Sequence, residues 1–531
     1  MTSDAKPRVK ITYATLRADN EDLHAGFEAA VARLRPGLGA FHQNLVGGAW
    51  RDGDAAFEVR SPIDSEILVG TFARGTAADI DAAVAAARAA QPAWAATPWQ
   101  ERLRILRAAA ELISERLMDC AAVMAIEVGK TRMEALGEVE EAADLVRYYA
   151  QTMEDNNGYD HPMGNLGDAS VHTRTILRPH GVFAVISPFN FPMALASGPM
   201  AAALMAGNTV VFKPATLTPD TSCALIDIFE RAGLPKGVLN MVIGSGSAVG
   251  NTLLDHPQVR GVSFTGSNEV GAHVYGRAAA RMIRAQCEMG GKNPVVVLAD
   301  ADLEAAADAS ALGAFGSTGQ RCTATSRVIV EEPVADAFVE KLAERARRLK
   351  IGNGLAAGID MGPAVDKSQL ETDLRYISVG LEEGAHVVCG GGRMQDGDHE
   401  HGYFVEPTVF DHVTAGMRVA QEEIFGPVVS VIRVADFEEA MEAANSVRYG
   451  LSSSIFTGDT TTAFRFVDGI EAGIVHINSG TPGGEAQVPF GGMKDTGVGP
   501  REQGSNAIDF FTEVKSVYVD YTGGSRKAGF Y

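Results

Sequence analysis

A carboxylate and a thiol stand at the two ends of one short segment of this chain. Glu288 lies in the string CEMGGKNP, and Cys322 follows 34 positions later in GQRCTATSR. Between them a β-branched run precedes an Ala-rich helical stretch, and a strand followed by a helix can return both ends to one edge of a sheet. A carboxylate and a thiol held there could act as general base and nucleophile. The alternative is that Cys322 is a small buried hydrophobe, which is the commoner role of a free cysteine.

The composition is that of a large α/β protein. The chain has 531 residues, of which 46% are hydrophobic and 21% are charged, and this length predicts two or three domains. A formal net charge of -21 argues against nucleic acid and against an anionic membrane surface as partners. The five cysteines are scattered without a CxxC pair, and no secretory signal is visible, so we expect a cytoplasmic protein.

One uncharged stretch, between Arg178 and Lys213, is long enough to span a membrane. Its prolines and the Gly207-Asn208 pair divide it into a strand, a turn, a helix and a second strand. We therefore predict that it forms buried core and that the protein does not associate with membranes.

Short apolar strands alternate with helical segments from Thr173 onward. The predicted strands are Val182–Ile186, Thr209–Phe212, Leu239–Ile243, Gly261–Phe264 and Pro294–Leu298, then Val328–Glu331, Val387–Val388, Val428–Val434 and Ile474–Asn478. Such alternation predicts a mostly parallel, doubly wound sheet with ligands beyond the carboxyl ends of its strands. The later series predicts a second α/β domain.

The first part of the chain reads as helices around a short hairpin. Predicted helices are Asp19–Leu34 with Asn20 as cap, and the surface helices Ala77–Ala90, Glu101–Arg116 and Glu134–Tyr149. Glu134, Glu138 and Glu141 share one face of the last helix. We interpret them as a solvated stripe and expect no metal site, there or elsewhere in the chain.

Several motifs together resemble those of the aldehyde dehydrogenase superfamily. They are EMGGKNP, GQRC, SPFNFP, KPA, EEIFGPV and PFGGMKDTG, and the resemblance spans residues 45–519. It implies the α/β aldehyde dehydrogenase fold, with a Rossmann-like cofactor-binding domain (41–157 and 176–289) and an α/β catalytic domain (290–495). A small oligomerisation β-hairpin (158–175 and 505–522) would make a homodimer or homotetramer, and residues 1–40 would be an N-terminal extension.

The same resemblance implies the catalytic roles. Cys322 would attack an aldehyde as thiolate, Asn190 and the Cys322 amide would stabilise the oxyanion, and Glu288 would activate water to hydrolyse the thioester. Relatives that pass the acyl group to coenzyme A usually lack this glutamate, so Glu288 favours hydrolysis. Two rivals from other classes stay open: a coenzyme A-dependent acyl-transferring enzyme and a non-catalytic dinucleotide-binding member.

The resemblance further implies a nicotinamide cofactor, NADP or NAD. Its predicted contacts are Ser187, Phe189, Lys213, Thr216, Gly246, Gly250, Thr265, Gly266, Ser267, Gly271, Glu423 and Phe425. An acidic residue often stands at the position of Thr216 and would repel a 2′-phosphate, so Thr216 admits NADP. For the glycine clusters the alternative is a plain strand-to-helix turn; as phosphate sites they would use amides at a helix start.

The substrate is the least specified property. The strings CTATSRVIV, GPREQG and FFTEVKSVY resemble α-ketoglutaric semialdehyde (2,5-dioxopentanoate) dehydrogenases, whereas RYYAQTME and GLPKGVLNMVIGSG resemble glutamate-semialdehyde (pyrroline-5-carboxylate) dehydrogenases. Both substrates are short semialdehydes with a distal carboxylate, which needs a cation or amides inside a site. Arg321 and Ser479 are the candidates, unless Arg321 pairs with an acidic residue instead. A broad-specificity aldehyde dehydrogenase is the remaining alternative.

Overall fold

The computed structural model describes residues 19–53, 55–165 and 171–520. Parts of the predicted N-terminal extension (1–18), cofactor domain (54) and oligomerisation segments (166–170 and 521–522) lie outside the described residues. The α-helices are α1 Glu21–Leu34, α2 Ala77–Ala96, α3 Trp99–Glu115, α4 Leu117–Val128, α5 Arg132–Asp155, α6 Ala194–Met205, α7 Pro219–Arg231, α8 Asn251–Asp255, α9 Asn268–Ala280, α10 Leu303–Phe315, α11 Glu332–Arg348, α12 Lys367–Glu382, α13 Arg418–Gln421, α14 Phe437–Asn445, α15 Thr460–Gly469 and α16 Ala507–Phe510. The strands are β1 Phe41–His42, β2 Asn44–Val46, β3 Ala49–Arg51, β4 Ala56–Arg60, β5 Leu68–Ala73, β6 Asp160–Met163, β7 Val171–Pro179, β8 Val182–Ile186, β9 Thr209–Lys213, β10 Leu239–Met241, β11 Val259–Thr265, β12 Arg284–Glu288, β13 Asn293–Val297, β14 Thr325–Glu331, β15 His386–Cys389, β16 Thr408–Asp411, β17 Val428–Val434, β18 Tyr449–Gly450, β19 Ser452–Phe456, β20 Ile474–Ile477, β21 Met493–Lys494, β22 Gly497–Val498 and β23 Thr512–Asp520.

The first large sheet has the strand order β22-β12-β11-β8-β9-β10-β2-β3. The neighbours from β12 to β10 are parallel, and β2, β3 and β22 are attached antiparallel. Strands β8 and β9 are buried at every position, as expected when helices cover both faces of a parallel sheet. The predicted doubly wound sheet is therefore confirmed. Apart from β22, its strands come from the segments predicted to form the cofactor domain.

The second large sheet has the order β15-β16-β17-β14-β13-β19-β20 and comes entirely from residues 290–495. Its pairs are parallel except β15 with β16. Strands β12 and β13 are consecutive in the chain but belong to different sheets. The segment from Met289 to Lys292 therefore crosses from one sheet to the other.

A third sheet stands apart from the large ones and has the order β23-β7-β6. All nine residues of β23 pair antiparallel with β7. The side chains of Val514 and Tyr518 on β23 are 66% and 77% exposed. This sheet presents an apolar edge strand on the surface of the chain.

The predicted solvated stripe on α5 is wrong. Glu138 is fully buried, and Glu134 is mostly buried, because α5 packs along α3, α4 and α6 and has little free surface. Asn20 caps α1 as predicted, accepting a hydrogen bond from the Leu23 amide at 3.2 Å. Within the described ranges, no helix combines the length and apolar character needed to cross a membrane.

Strands β12, β16 and β19 are among those that escaped the sequence-based prediction. Strand β12 reads RAQCE and β19 reads SSSIF, and neither shows the apolar run that marks a buried strand. Strand β19 is nevertheless buried throughout. Its serines are paired internally, as when the Ser452 hydroxyl donates to the Thr481 carbonyl at 2.7 Å.

We predict that Arg327→Ala strongly destabilises the fold. The guanidinium of this buried residue donates to the carbonyls of Lys292, Ala443 and Ala444 at 3.0, 2.8 and 2.9 Å, so truncation removes a donor from three buried carbonyls and leaves a cavity beside them. We expect a loss of about 4 kcal/mol in free energy of unfolding, measured by urea denaturation. Arg375→Ala, at an exposed position, is the control; equal midpoints for the two variants would contradict the prediction.

Candidate active site

The loop before Cys322 has an unusual backbone. Ser317, Thr318 and Gly319 have φ angles of 50°, 60° and 69°, all in the left-handed region, and such residues persist only where their surroundings hold them. The Thr318 hydroxyl donates to the Gly362 carbonyl at 3.0 Å. A Cβ on Gly319 would lie 2.1 Å from the Gly426 carbonyl oxygen. This loop places Cys322 just before β14, at one end of the strands of the second sheet.

Asn190 lies directly against that loop. It follows β8 in the turn that leads to α6, and its side-chain Nδ2 donates to the Gln320 carbonyl at 3.0 Å. An amide group carries two N–H donors, so a second one remains for another acceptor. The structure thus brings together Asn190 and Cys322, the two residues predicted to form the oxyanion hole.

Glu288 ends β12 and is buried with Oε2 unpaired among the described residues. Gly491 makes room for the carboxylate, since a Cβ there would lie 2.4 Å from Oε1. Burial, and then the negative charge of Glu502, raise the pKa of Glu288 well above its usual range, while Arg501 acts in the opposite direction. A carboxylate whose pKa is raised takes up a proton more readily than an ordinary one, as a general base must.

The Cys322 thiol is also perturbed. Burial, followed by the charges of Glu423 and Glu288, raises the pKa of the Cys322 thiol to about 12. At neutral pH the resting thiol is therefore protonated, and attack requires loss of that proton to a base. The charge of Glu288, at the end of β12, reaches the Cys322 thiol, which precedes β14, so the two groups lie close together.

A buried lysine at the end of β9 fits the predicted cofactor contact. The Lys213 ammonium donates to the Pro214 carbonyl at 2.6 Å, and burial lowers the pKa of Lys213 to about 8. Gly250 packs 3.7 Å from the Lys213 side chain, measured to the position its Cβ would take, within the turn Gly246–Gly250 that follows β10. Thr216 lies nearby in sequence and is partly exposed. A cation beside a glycine turn, with no carboxylate contact among the described residues, can receive an anionic or hydroxyl-rich ligand.

The turn between β11 and α9 differs in one respect from the prediction. The Gly266 amide donates to the Glu288 carbonyl at 3.0 Å, because it continues the ladder between β11 and β12, and so it is not free for a phosphate. Ser267 caps α9. Gly271 has no room for a side chain, since a Cβ would lie 2.2 Å from the Met289 sulfur, and Thr265 contacts Glu502 at 3.4 Å. Of the predicted contacts in this turn, Ser267 at the start of α9 is the one left available to a phosphate.

Glu423 and Phe425 approach the site from the loop before β17. Glu423 accepts a hydrogen bond from the Gly291 amide at 3.0 Å, and burial raises the pKa of Glu423 to about 7. The Phe425 ring packs edge-on against Phe189, with the centroids 5.9 Å apart. The buried Ser187 hydroxyl is without a partner in the described part of the chain. These groups offer an acceptor, an aromatic wall and a free hydroxyl to one ligand.

The two predicted substrate contacts are placed differently. The Arg321 Nε donates to the Ser317 hydroxyl at 2.9 Å, and its NH2 lies 3.9 Å from a Glu134 oxygen. Arg321 thus contacts an acidic residue, as the alternative interpretation proposed, while keeping part of its fork free. Ser479 is exposed on a loop that reaches the site through Thr481, whose hydroxyl donates to the Thr323 carbonyl at 2.8 Å.

Two residues near the reacting groups were missed by sequence reasoning. Asn293 donates from Nδ2 to the carbonyls of Cys322 and Ala324, both at 2.8 Å, and its place in the EMGGKNP string was a usable signal. Glu502 lies far from Glu288 in sequence, and no local pattern connects the two. Both residues hold or tune groups that the sequence did identify.

Comparison with known proteins agrees with this geometry. Residues 50–517 match the model of the "Aldehyde dehydrogenase family". The chain belongs to the aldehyde dehydrogenase family. It is therefore an NAD(P)-dependent aldehyde dehydrogenase, and the fold and enzyme class predicted from the motifs are confirmed.

Individual relatives of this aldehyde dehydrogenase are similar over nearly their whole length. The alpha-ketoglutaric semialdehyde dehydrogenase of Bacillus subtilis is 46% identical over 479 residues, covering 90% of this chain and 97% of that protein. The alpha-ketoglutarate semialdehyde dehydrogenase of Haloferax volcanii is 45% identical over 483 residues, covering 90% and 99%. The structure of a Thermus 1-pyrroline-5-carboxylate dehydrogenase with bound NAD aligns with a TM-score of 0.92 at 33% identity, covering 98% of this chain and 100% of that chain.

We predict that Glu502→Gln moves the acid limb of the pH–rate profile to lower pH. The Glu502 charge raises the pKa of Glu288; removing that charge lowers this pKa, so the Glu288 carboxylate stays ionised, and active as a base, at lower pH. Turnover is measured from about pH 5 to about pH 9. Glu442→Gln, an exposed change elsewhere in the chain, is the control. A limb that stays in place, or moves to higher pH, would show that Glu502 does not tune Glu288.

Proposed function

We propose that this enzyme oxidises a short semialdehyde with a distal carboxylate, such as α-ketoglutaric semialdehyde, to the corresponding acid. The observation that carries the proposal is the identity of 46% and 45% with two relatives that are named for this substrate. The intact set of Asn190, Glu288 and Cys322 supports catalysis over a purely structural role.

The proposed chemistry begins with the Cys322 thiol, which gives up its proton to solvent by way of the Glu288 carboxylate, so that the sulfur adds to the aldehyde carbon. The carbonyl oxygen becomes an oxyanion that accepts hydrogen bonds from the Asn190 side chain and the Cys322 amide. Bound NAD(P)⁺ supplies the acceptor for the hydride, so that a thioester is left on Cys322. The bound cofactor would be held by five residues, namely Lys213, Thr216, Ser267, Glu423 and Phe425.

Hydrolysis then completes the proposed cycle. Glu288 takes a proton from water, the hydroxide oxygen adds to the thioester carbon, and the C–S bond breaks to release the acid and the thiolate. The buried carboxyl at the end of β12, with its raised pKa, supports this role. Relatives that pass the acyl group to coenzyme A usually lack this glutamate, so the presence of Glu288 favours hydrolysis.

The second candidate is oxidation of glutamate semialdehyde. It is supported by the structural match to a 1-pyrroline-5-carboxylate dehydrogenase. That relative is 33% identical, against 46% for the B. subtilis relative, and this difference favours α-ketoglutaric semialdehyde. The two substrates share a distal carboxylate, so the anchoring problem is the same.

We predict that carboxylate-bearing semialdehydes exceed uncharged aldehydes of equal length by roughly 10- to 100-fold in kcat/KM, the value of one charged hydrogen-bonded anchor. The panel contains α-ketoglutaric, glutamic and succinic semialdehydes, with formation of reduced cofactor as the readout. Cys322→Ala is the inactive control.

The same panel tests the anchor. If Arg321 receives the distal carboxylate, Arg321→Met should remove most of that preference while leaving the uncharged aldehydes nearly unaffected. Higher kcat/KM for the uncharged aldehydes in the wild-type enzyme would refute the carboxylate anchor altogether.

We predict useful turnover with NADP, and a shift towards NAD in Thr216→Glu. A carboxylate beside Lys213 would accept hydrogen bonds from ribose hydroxyls and repel a 2′-phosphate, whereas Thr216 has no charge to oppose it. The measurement is the ratio of kcat/KM for the two cofactors, with Thr216→Gln as the uncharged control. If both Thr216→Glu and Thr216→Gln keep the wild-type ratio of kcat/KM values, another residue sets the choice between NAD and NADP.

We further propose a homodimer or homotetramer assembled through the β23-β7-β6 sheet. Its long edge strand exposes Val514 and Tyr518, and unpaired edges of this kind readily pair with another chain. Light scattering should give a multiple of the 56.0 kDa chain mass, and Val514→Lys with Tyr518→Lys should lower it. A wild-type mass of one chain would refute this assembly.

A further inference from the structure

Two glutamates on one face of α5, Glu134 and Glu138, reach the two sides of the proposed oxyanion hole. Glu134 and Glu138 stand four positions apart, and so they project from the same side of the helix. Glu134 contacts the loop that carries Cys322, and Glu138 contacts the turn that carries Asn190. A single rigid helix therefore touches both elements.

Glu138 holds the turn that contains Asn190. Its Oε1 accepts hydrogen bonds from the amides of Met193 (2.9 Å) and Ala194 (3.3 Å), where α6 begins without a side-chain cap of its own. Its Oε2 pairs with Lys130, whose ammonium lies 3.6 Å from the ring centroid of Phe191, the residue after Asn190. The Lys130 and Glu138 side chains are only 4% and 0% exposed. The Lys130–Glu138 ion pair is therefore not screened by water, and it helps to fix the turn that contains Asn190.

Glu134 holds the loop that carries Cys322. One carboxylate oxygen accepts from the Ser317 amide, in the left-handed segment before Cys322, and the other accepts from the Thr131 amide at 3.1 Å. The first oxygen also lies 3.9 Å from the Arg321 guanidinium. Because the left-handed backbone of Ser317 and Thr318 is intrinsically unfavourable, a bond that fixes its first amide helps to keep this loop in place.

The turn that contains Asn190 and the loop that carries Cys322 meet at the hydrogen bond from Asn190 to Gln320. A cavity of about 10 Å³ lies between Lys130, Asn190, Ser317 and Gln320, so the two elements and the Lys130 partner of Glu138 enclose one point. Displacement of either element would separate the Asn190 donor from the Cys322 amide, and an error of about 1 Å in such a site can cost roughly 100-fold in rate.

We propose that Glu134 and Glu138 are positioning residues that keep the two halves of the oxyanion hole in register. This inference rests on the proposed function, because it assigns a purpose to the geometry around Asn190 and Cys322. Neither glutamate touches the reacting atoms; each acts through the backbone amides that it binds.

The test compares Glu134→Ala, Glu134→Gln and Glu138→Ala with Glu140→Ala. Glu140 is a matched control because it is a buried carboxylate on the same helix that binds Ser114 and Arg147, away from the site. Two reactions are followed: aldehyde oxidation, and acyl transfer from p-nitrophenyl acetate, which needs a thiolate and an oxyanion hole but no cofactor. Cofactor dissociation constants and thermal midpoints are measured alongside.

We expect kcat and kcat/KM to fall together by roughly 10- to 100-fold in Glu134→Ala and Glu138→Ala, with KM and cofactor affinity unchanged, since the lost interaction belongs to the transition state. Glu134→Gln keeps an oxygen for the Ser317 amide and should recover most of the rate. Rates of Glu134→Ala and Glu138→Ala equal to that of Glu140→Ala, or losses explained by cofactor affinity, would overturn the proposal.

Two further variants keep the outcomes separate. If Glu138→Ala fails to fold because Lys130 is left as an unpaired buried charge, Glu138→Ala with Lys130→Met removes both charges and takes its place, and loss of acyl transfer is again expected. Cys322→Ala tests the proposed function itself. Ester cleavage that survives in Cys322→Ala would refute the thioester mechanism, whatever the glutamate variants do.

Discussion

The close approach of backbone and side chains at Gly290 and Gly291 is the constraint on which the site depends. A Cβ on Gly290 would lie 2.1 Å from a Glu423 carboxylate oxygen, and one on Gly291 would lie 2.5 Å from the Cys322 carbonyl oxygen. These two residues cross from β12 to β13 and so join the two large sheets. Because neither has a side chain, Glu288, Cys322 and Glu423 can come from three separate elements and still surround one small volume.

Exclusion of water from that volume governs its chemistry. Burial raises the pKa of the Cys322 thiol and of the carboxyl groups of Glu288, Glu423 and Glu502, and it lowers the pKa of Lys213 and Lys292. Each shift disfavours the charged form, so the site at rest carries less charge than its composition suggests. Any ionic or hydrogen-bonding contact formed there acts in a medium of low dielectric constant and is correspondingly strong. Fixed donors such as Asn190 gain most from this environment.

Much of the fold and the identity of the reacting residues followed from local sequence patterns. Apolar runs marked β8, β9 and β17, and the motif strings identified Glu288, Cys322 and Asn190. The failures share a cause: polar residues whose environment is set by distant parts of the chain. The serines of β19 and the carboxylate of Glu138 look solvent-exposed in sequence because their partners, such as Thr481 and Met193, come from other elements. The Gly266 amide was misassigned because β12, which uses it, had not been recognised as a strand.

The position of Arg321 limits how substrate recognition can work in this site. Its contact with Glu134 is long at 3.9 Å, and its single strong bond is to a neutral hydroxyl, that of Ser317. The guanidinium charge is thus only partly compensated, and a planar fork has further donors to offer a carboxylate. A substrate carboxylate would bind a cation already held in place by its protein partners, so little side-chain entropy would be lost on binding. Glu134, however, repels the same carboxylate. Attraction and repulsion from adjacent groups would therefore confine the distal carboxylate to the side of Arg321 that faces away from Glu134, and chain length would then decide which semialdehydes place their carbonyl at Cys322.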